Sequence, residues 1–410
     1  MTSAVFWSAL GLLAYTYVGF PLLVLVRGRL VRRPYFAAEI TPSVSVIVAA
    51  HNEGASIGAK IDNLLGLEYP PELLEVVIAS DGSDDETNDI VAGYRGADRS
   101  SALRLLALPR CGKAAALTRA TEEARGEILV FSDANSMYAP DAIRSIVRPF
   151  ADPAIGGVAG DQRYLSGGAS EGIGAGERGY WSFDRLLKAA ESSSGNVISA
   201  TGAIYAIRRA LFAGVRPDVT DDFYVSTGVI EQCRRLVFEP RAVAYEPVAA
   251  SAGREFARKV RVMTRGLRGV LARRRLLNPF RHGFYALQLL SHKLLRRLMV
   301  FPLVLLALTS VLLWERGVGY QVLAVVQAAL YTAGAAGILL GGTRLGRAKP
   351  LAVPAFFCLV NAASLIALWN VVTGRRIERW QTRRYDEAGT GVGAGAGSGR
   401  NANPTGADSA

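Results

Sequence analysis

The chain has 410 residues, half of them hydrophobic, which leaves room for a large domain and for apolar segments beyond it. Its three cysteines, Cys111, Cys233 and Cys358, are scattered without metal-ligand spacing; this excludes a disulfide framework and fits a reduced compartment. The net charge of +12 is concentrated between Arg254 and Arg297, where thirteen Arg or Lys face the single acid Glu255. Because that segment runs into an apolar span, attraction to anionic lipid headgroups, about 1 kcal/mol per basic residue, displaces nucleic acid as the reading.

Val5 to Val26 carries no charge and is long enough to span a bilayer. No Lys or Arg precedes it, no small-residue cleavage site ends it, and Arg27, Arg29, Arg32 and Arg33 follow it. It is therefore expected to be a signal anchor, not a cleaved peptide, with its C-terminal side in the cytosol. Leu298–Trp314, Gly319–Leu340 and Leu351–Val372 are three further uncharged spans. Arg344, Arg347 and Lys349 flank one side of the last span and Arg375, Arg376 and Arg379 the other, which leaves the side of the C-terminus open. The expected divisions are an anchor at 1–34, a sheet domain at 35–278, an interfacial amphipathic helix at 279–297, three spans at 298–373 and a basic, then disordered, tail at 374–410.

Between anchor and spans the chain alternates strands and helices. Val44–Ala50 and Leu74–Ala79 are short β-branched runs of the kind buried on both faces, joined by a helix over Glu53–Leu65 that Gly66 and Tyr69-Pro70-Pro71 stop. Strands are expected at Leu103–Leu108, Glu127–Ser132, Ala154–Ala159, Thr201–Arg209 and Val237–Tyr245. Helices are expected at Lys113–Ala124, Pro140–Phe150 and Glu177–Ser192, with Gly167–Gly176 a mobile loop. Strand, helix, strand implies a parallel sheet, an α/β fold whose ligands sit beyond the carboxyl ends of its strands. Four acidic sites fall at loop positions there: Glu53, the group Asp81/Asp84/Asp85, Asp133, and the pair Asp221-Asp222. Crowded carboxylates without cationic partners raise each other's pKa, so a bound Mg2+ or Mn2+, sharing its shell with substrate phosphates, fits this oxygen-only supply.

Taken in order, Ala-Ala-His-Asn-Glu, Ser-Asp-Gly-Ser-Asp-Asp-Glu-Thr, Gly-Lys-Ala-Ala-Ala-Leu, Ser-Asp-Ala-Asn, Thr-Gly-Ala-Ile-Tyr and Thr-Asp-Asp-Phe resemble the inverting family 2 glycosyltransferases. The resemblance covers roughly Ser43 to Arg268 and implies the GT-A fold, a Rossmann-like, mostly parallel sheet. Membrane-bound members such as cellulose, chitin and hyaluronan synthases carry similar flanking spans.

Carried over by position, the resemblance places Ala49, His51, Glu53, Asp81, Lys113, Ala134 and Arg261 around a nucleotide-sugar, with Asp81 on the base (usually uracil, hence a UDP-sugar). It assigns Asp133 and Asn135 to the metal, the family's second acid there being the neutral Asn135. Gly202 and Trp181 would face the acceptor. Asp222 would be the general base, preferred over Asp221 because neighbours on an extended backbone point apart. Other readings stay open: a solvated helix-start lysine for Lys113, membrane-surface charge for Arg261, a core aromatic for Trp181. Where processive synthases carry Gln-x-x-Arg-Trp, this chain has Arg258 and Val262 around Arg261, so the resemblance does not carry polymer extension.

The implied enzyme is a hexosyltransferase of polysaccharide or glycolipid biosynthesis at the cell envelope. It would be multi-pass in the plasma membrane with a cytosolic catalytic domain, taking a lipid-linked or polysaccharide acceptor and binding membrane lipids but no nucleic acid. A processive synthase, a polyprenyl-phosphate glycosyltransferase and a nucleotide-sensing membrane scaffold are the alternatives.

Overall fold

The computed structural model describes residues 1–94, 102–165, 171–247 and 252–375. The expected disordered tail lies outside them. Eight strands form one sheet: β1 Val44–Ala50, β2 Leu74–Asp81, β3 Leu103–Leu108, β4 Ile128–Asp133, β5 Met137–Tyr138, β6 Ile155–Leu165, β7 Tyr205–Arg208 and β8 Arg235–Pro247. Their order is β3-β2-β1-β4-β7-β6-β8-β5. The first four are mutually parallel, β7 runs antiparallel to β4 and β6, and β8 returns parallel to β6. The parallel strands are what the alternation of strands and helices predicts, and the mostly parallel sheet as a whole is what the family resemblance implies.

The β1 sequence explains why it occupies the middle. All seven residues are buried, and they divide between two cores by the period of two. Val44, Val46 and Val48 meet Ile57, Ile61 and Leu64 of helix α2 (Gly54–Leu65). Ile47 and Ala49 meet Leu117 and Ala120 on the other face. Each such isoleucine or leucine is worth roughly 1.5–3 kcal/mol of transfer free energy, so the strand ends that carry the site rest on a fully buried core.

Further helices of the sheet domain are α3 Thr87–Gly93, α4 Lys113–Glu123, α5 Ala142–Val147, α6 Glu171–Ser194, α7 Asp221–Glu231 and α8 Ala252–Ala272. The start of α6 corrects the expected Gly167–Gly176 loop: Gly172, Gly174 and Gly176 are helical, while 166–170 lie outside the described residues. Glycine costs up to about 1 kcal/mol per helical position relative to alanine, but extending an existing helix adds a hydrogen bond per residue without a new nucleus.

Among the described residues three helices are long and apolar enough to cross a membrane: α1 Thr2–Leu30, then Val318–Leu339 and Lys349–Val372. The expected Leu298–Trp314 span is found only as half of a bent pair, Phe284–Leu298 and Val300–Leu312, which meet at 52° and make a fourth span if taken together. The apolar segments dock on the sheet domain and on one another. Phe20 and Val24 of α1 pack with Leu187 of α6, and Met263 and Leu267 of α8 pack with Ala363 and Ala367 of the last helix.

Candidate active site

The carboxyl ends of β1, β2 and β4 lie side by side, with Ala49 in register with Ala79 and with Asp133. Ala49 is buried in the core beneath this rim, and the partly buried His51 follows it where β1 leaves the sheet. Asn52 adopts a left-handed φ of 53° and pairs with the next loop, its Nδ2 donating to Asp84 while its Oδ1 accepts from the Asp84 N–H at 3.0 Å. The Gly54 N–H donates to Asp85 Oδ2 at 2.9 Å, and the Glu53 N–H to Thr87 Oγ1 at 2.9 Å. Burial pulls the Asp85 carboxyl upward, but the donors on Thr87 and Gly54 outweigh it and hold the group below its ordinary value. Asp84 and Asp85 are thus committed to joining the two loops, and Glu53 accepts from Ser56 Oγ at 2.8 Å.

Asp81 closes β2 with its side chain wholly buried. It accepts from the Arg110 guanidinium and from the backbone N–H groups of Cys111 (2.6 Å) and Gly112 (2.8 Å). This places the Arg110–Gly112 turn against Asp81, and Gly112, at a φ of +89°, leads directly into α4.

Lys113, the first residue of α4, joins the acids across the rim. Its Nζ lies 2.7 Å from Asp133 Oδ1 and 3.0 Å from Asp221 Oδ2. Burial alone would lower its pKa, but the two carboxylates outweigh that and raise it, so the ammonium stays charged. The acids therefore crowd around the Lys113 ammonium, a cationic partner of their own that the oxygen-only reading left out. Asp133 is held from below by its N–H to the Gly202 carbonyl at 3.1 Å. A Cβ at position 202 would stand 2.7 Å from Asp133 Oδ2, so any larger residue there would have to displace that carboxylate.

Asp221 and Asp222 are the first two residues of α7, not an extended pair, so the expectation that they point to opposite sides of a strand is corrected. Successive helical side chains diverge by about 100°, which still separates their tasks. Asp221 meets Lys113; Asp222 accepts from the Phe223 N–H at 2.7 Å. Burial, reinforced by Asp221, pushes the Asp222 carboxyl up to about 6. Arg261 on α8 is half-buried; burial and the neighbouring Arg265 and Arg258 lower its pKa, while Asp133 and Asp221 pull it upward. The two acids that flank Lys113 thus act on it electrostatically. Trp181 falls in α6, but its side chain lies outside the described residues.

Two further residues escape a motif search. Arg265 donates through Nε to the Val219 carbonyl at 2.9 Å, so α8 grips the backbone just before the acid pair. Its spacing of four from Arg261 puts both on one helical face, a signal present in the sequence. Lys293 Nζ lies 5.5 Å from the centre of the Phe223 ring, beside Asp222, and no local pattern announces it.

Among the described residues no three Asp, Glu, His or Cys side chains converge to hold a metal ion unaided. Asp133, with 36 % of its side chain exposed, and the partly exposed Asn135 offer oxygen ligands within one turn, closed by the Ser136 N–H on the Asp133 carbonyl at 3.2 Å. One carboxylate and one amide oxygen suit Mg2+ or Mn2+ that completes its shell with water and phosphate oxygens.

Comparison with known proteins agrees with this geometry. The family model described as Glycosyl transferase family 2 matches residues 45–215. Over 118 residues the chain is 37 % identical to a beta-monoglucosyldiacylglycerol synthase of Trichormus variabilis, covering 28 % of this chain and 25 % of that protein. It is 24 % identical over 242 residues to a poly-beta-1,6-N-acetyl-D-glucosamine synthase of Staphylococcus aureus, covering 58 % and 57 %. The chain thus spans about a quarter to somewhat over half of the length of these curated relatives. A solved mannosyltransferase from Pyrobaculum calidifontis, in complex with GDP-Man and Mn2+, superposes with a TM-score of 0.69 at 25 % identity, covering 92 % of this chain and all of the other. Over residues 45–215 the chain carries a glycosyl transferase family 2 domain, on the mixed sheet of the GT-A glycosyltransferases.

Proposed function

We propose that the protein transfers a hexosyl group from a nucleotide-sugar to a membrane-associated acceptor with inversion at the anomeric carbon. The observation that carries this reading is the Asp133–Lys113–Asp221 bridge at the carboxyl rim of the sheet, with the raised carboxyl of Asp222 beside it. Asp222 would take the proton of the acceptor hydroxyl while the acceptor oxygen bonds to the anomeric carbon and the bond to the diphosphate breaks. A carboxyl near pKa 6 is a stronger base than an ordinary aspartate and is still ionised at neutral pH. Lys113 and Arg261 would meet the charge that appears on the leaving diphosphate. A divalent ion held by Asp133 and Asn135 would supply Lewis-acid stabilisation of the same group. An α-linked donor then gives a β-linked product.

Two relatives bear on the substrates. The family resemblance points to UDP-sugars, whereas the solved relative holds GDP-Man, so both nucleotides belong in any assay. The match to a glucosyldiacylglycerol synthase, the apolar helices packed on the sheet domain, and the departures at Arg258 and Val262 favour single addition to a lipid acceptor over chain extension. The multi-pass arrangement, with the catalytic rim on the cytosolic side, follows the arginines after α1.

Calorimetric titration of purified protein with UDP and GDP tests the donor site. One nucleotide is expected to bind, and Asp81→Ala to weaken it roughly 10- to 100-fold, because the N–H groups of Cys111 and Gly112 lose their acceptor. Binding of neither nucleotide, or binding that ignores Asp81→Ala, contradicts the assignment.

A further inference from the structure

One group of buried polar side chains brackets the Asp133-Ala134-Asn135 turn. Lys60 lies on the core-facing stripe of α2, between Ile57 and Ile61, and is fully buried. Its Nζ donates to Ser132 Oγ at 2.8 Å and to the Ser136 carbonyl, and stands 4.0 Å from the centre of the Tyr138 ring. A buried cation requires such partners, and an apolar side chain would fill the space without them. Ser132 and Ser136 are the residues immediately before and after the turn. Ser136 is held a second time, its hydroxyl donating to Glu246 Oε1 at 2.5 Å, while Gln162 Nε2 donates to Glu246 Oε2 at 2.6 Å. Burial pushes Lys60 down to about 7 against the pull of Asp133 and Glu246, and an amine in either protonation state keeps donors for both serine partners.

We infer that Lys60, backed by Glu246, is a positioning residue that holds the Asp133–Asn135 turn in the shape that presents both side chains to a divalent cation. The inference rests on the reading of Asp133 as a metal-holding residue. Lys60 fixes the turn at both ends from a helix that belongs to the rigid core. Without it, the turn is free to relax while β4 stays paired with β1 and β7.

The test is Mn2+ binding by the full-length, detergent-solubilised protein, read from the loss of the free-ion electron paramagnetic resonance signal. It is run with and without UDP or GDP, beside thermal unfolding. Lys60→Met is expected to weaken Mn2+ binding by about tenfold or more, as outer-shell partners of metal ligands do, with its unfolding midpoint close to wild type. If that variant fails to fold, Lys60→Met combined with Glu246→Gln, which removes both opposing charges, carries the same expectation. Asp133→Asn separates the two ideas. If Asp133→Asn abolishes Mn2+ binding and a folded Lys60 variant leaves it unchanged, the role of Lys60 is overturned and the metal reading stands. If wild type binds no Mn2+, or neither substitution alters binding, reading and inference fall together. A loss of affinity only in step with a fallen midpoint makes Lys60 a stability residue and overturns its positioning role.

Discussion

Asp222→Asn is expected to lower turnover by roughly 10²- to 10⁴-fold, the contribution of a general base, while nucleotide binding stays within error of wild type. The amide keeps the shape and the acceptor for the Phe223 N–H but cannot take a proton. The pH dependence carries the same signature. As the proposed base, Asp222 must be ionised to act, so kcat of the wild type should fall with a slope of one below about pH 6, the value to which burial and Asp221 push it. Stability should move the opposite way. A carboxyl whose folded-state pKa lies above its ordinary value of 3.8 costs stability as pH rises through the window up to about 6. At pH 8 the Asn variant should therefore melt no lower than wild type. An inactive variant that also loses nucleotide, or melts well below wild type, would show Asp222 to be structural.

Lys113→Met should have the second-largest effect, and on a different observable. The substitution leaves Asp133 and Asp221 facing each other without the ammonium that lies 2.7 and 3.0 Å from them. Breaking a buried ion pair costs about 3–5 kcal/mol; because the Asp133 side chain is 36 % exposed, solvent screening reduces this to about 2 kcal/mol. The thermal midpoint should fall accordingly, and Mn2+ should recover more of it in Lys113→Met than it adds to wild type, by supplying the missing positive charge. Turnover should fall by roughly 10²-fold or more even at saturating metal, since charge on the leaving diphosphate loses a partner. A variant with wild-type midpoint and activity would reduce Lys113 to a solvated helix-start lysine.

The sequence yielded the sheet more readily than the site. Val44–Ala50 and Leu74–Ala79 are legible because strands buried on both faces need uninterrupted β-branched runs, and both strands are where those runs lie. Asp81, Lys113, Asp133 and Asp221 are legible as acids and a lysine at strand and helix ends, and three of them meet within 3.0 Å. What failed was conformation that no short window specifies. Asp221-Asp222 opens a helix whose packing against the sheet, through Phe223 and Val229, decides the backbone. The uncharged run that begins at Leu298 reads as a full span by composition, yet its helix, Val300–Leu312, has only 13 residues and bends away from the helix before it. Lys60 was invisible for a simpler reason: a lysine among isoleucines on a helix reads as a solvated face until the serines that receive it are brought in from 72 and 76 residues away.

The most direct measurement is nucleotide release by purified, detergent-solubilised protein across a panel of UDP- and GDP-sugars. It would be run with a membrane lipid extract as acceptor, first with Mn2+ or Mg2+ and then with a chelator. The account predicts metal-dependent release from one donor, stimulated by the lipid extract, with a β-linked glycolipid as product. A donor that binds but releases no nucleotide, with lipid and metal both present, would contradict it and leave a nucleotide-sensing membrane scaffold in its place.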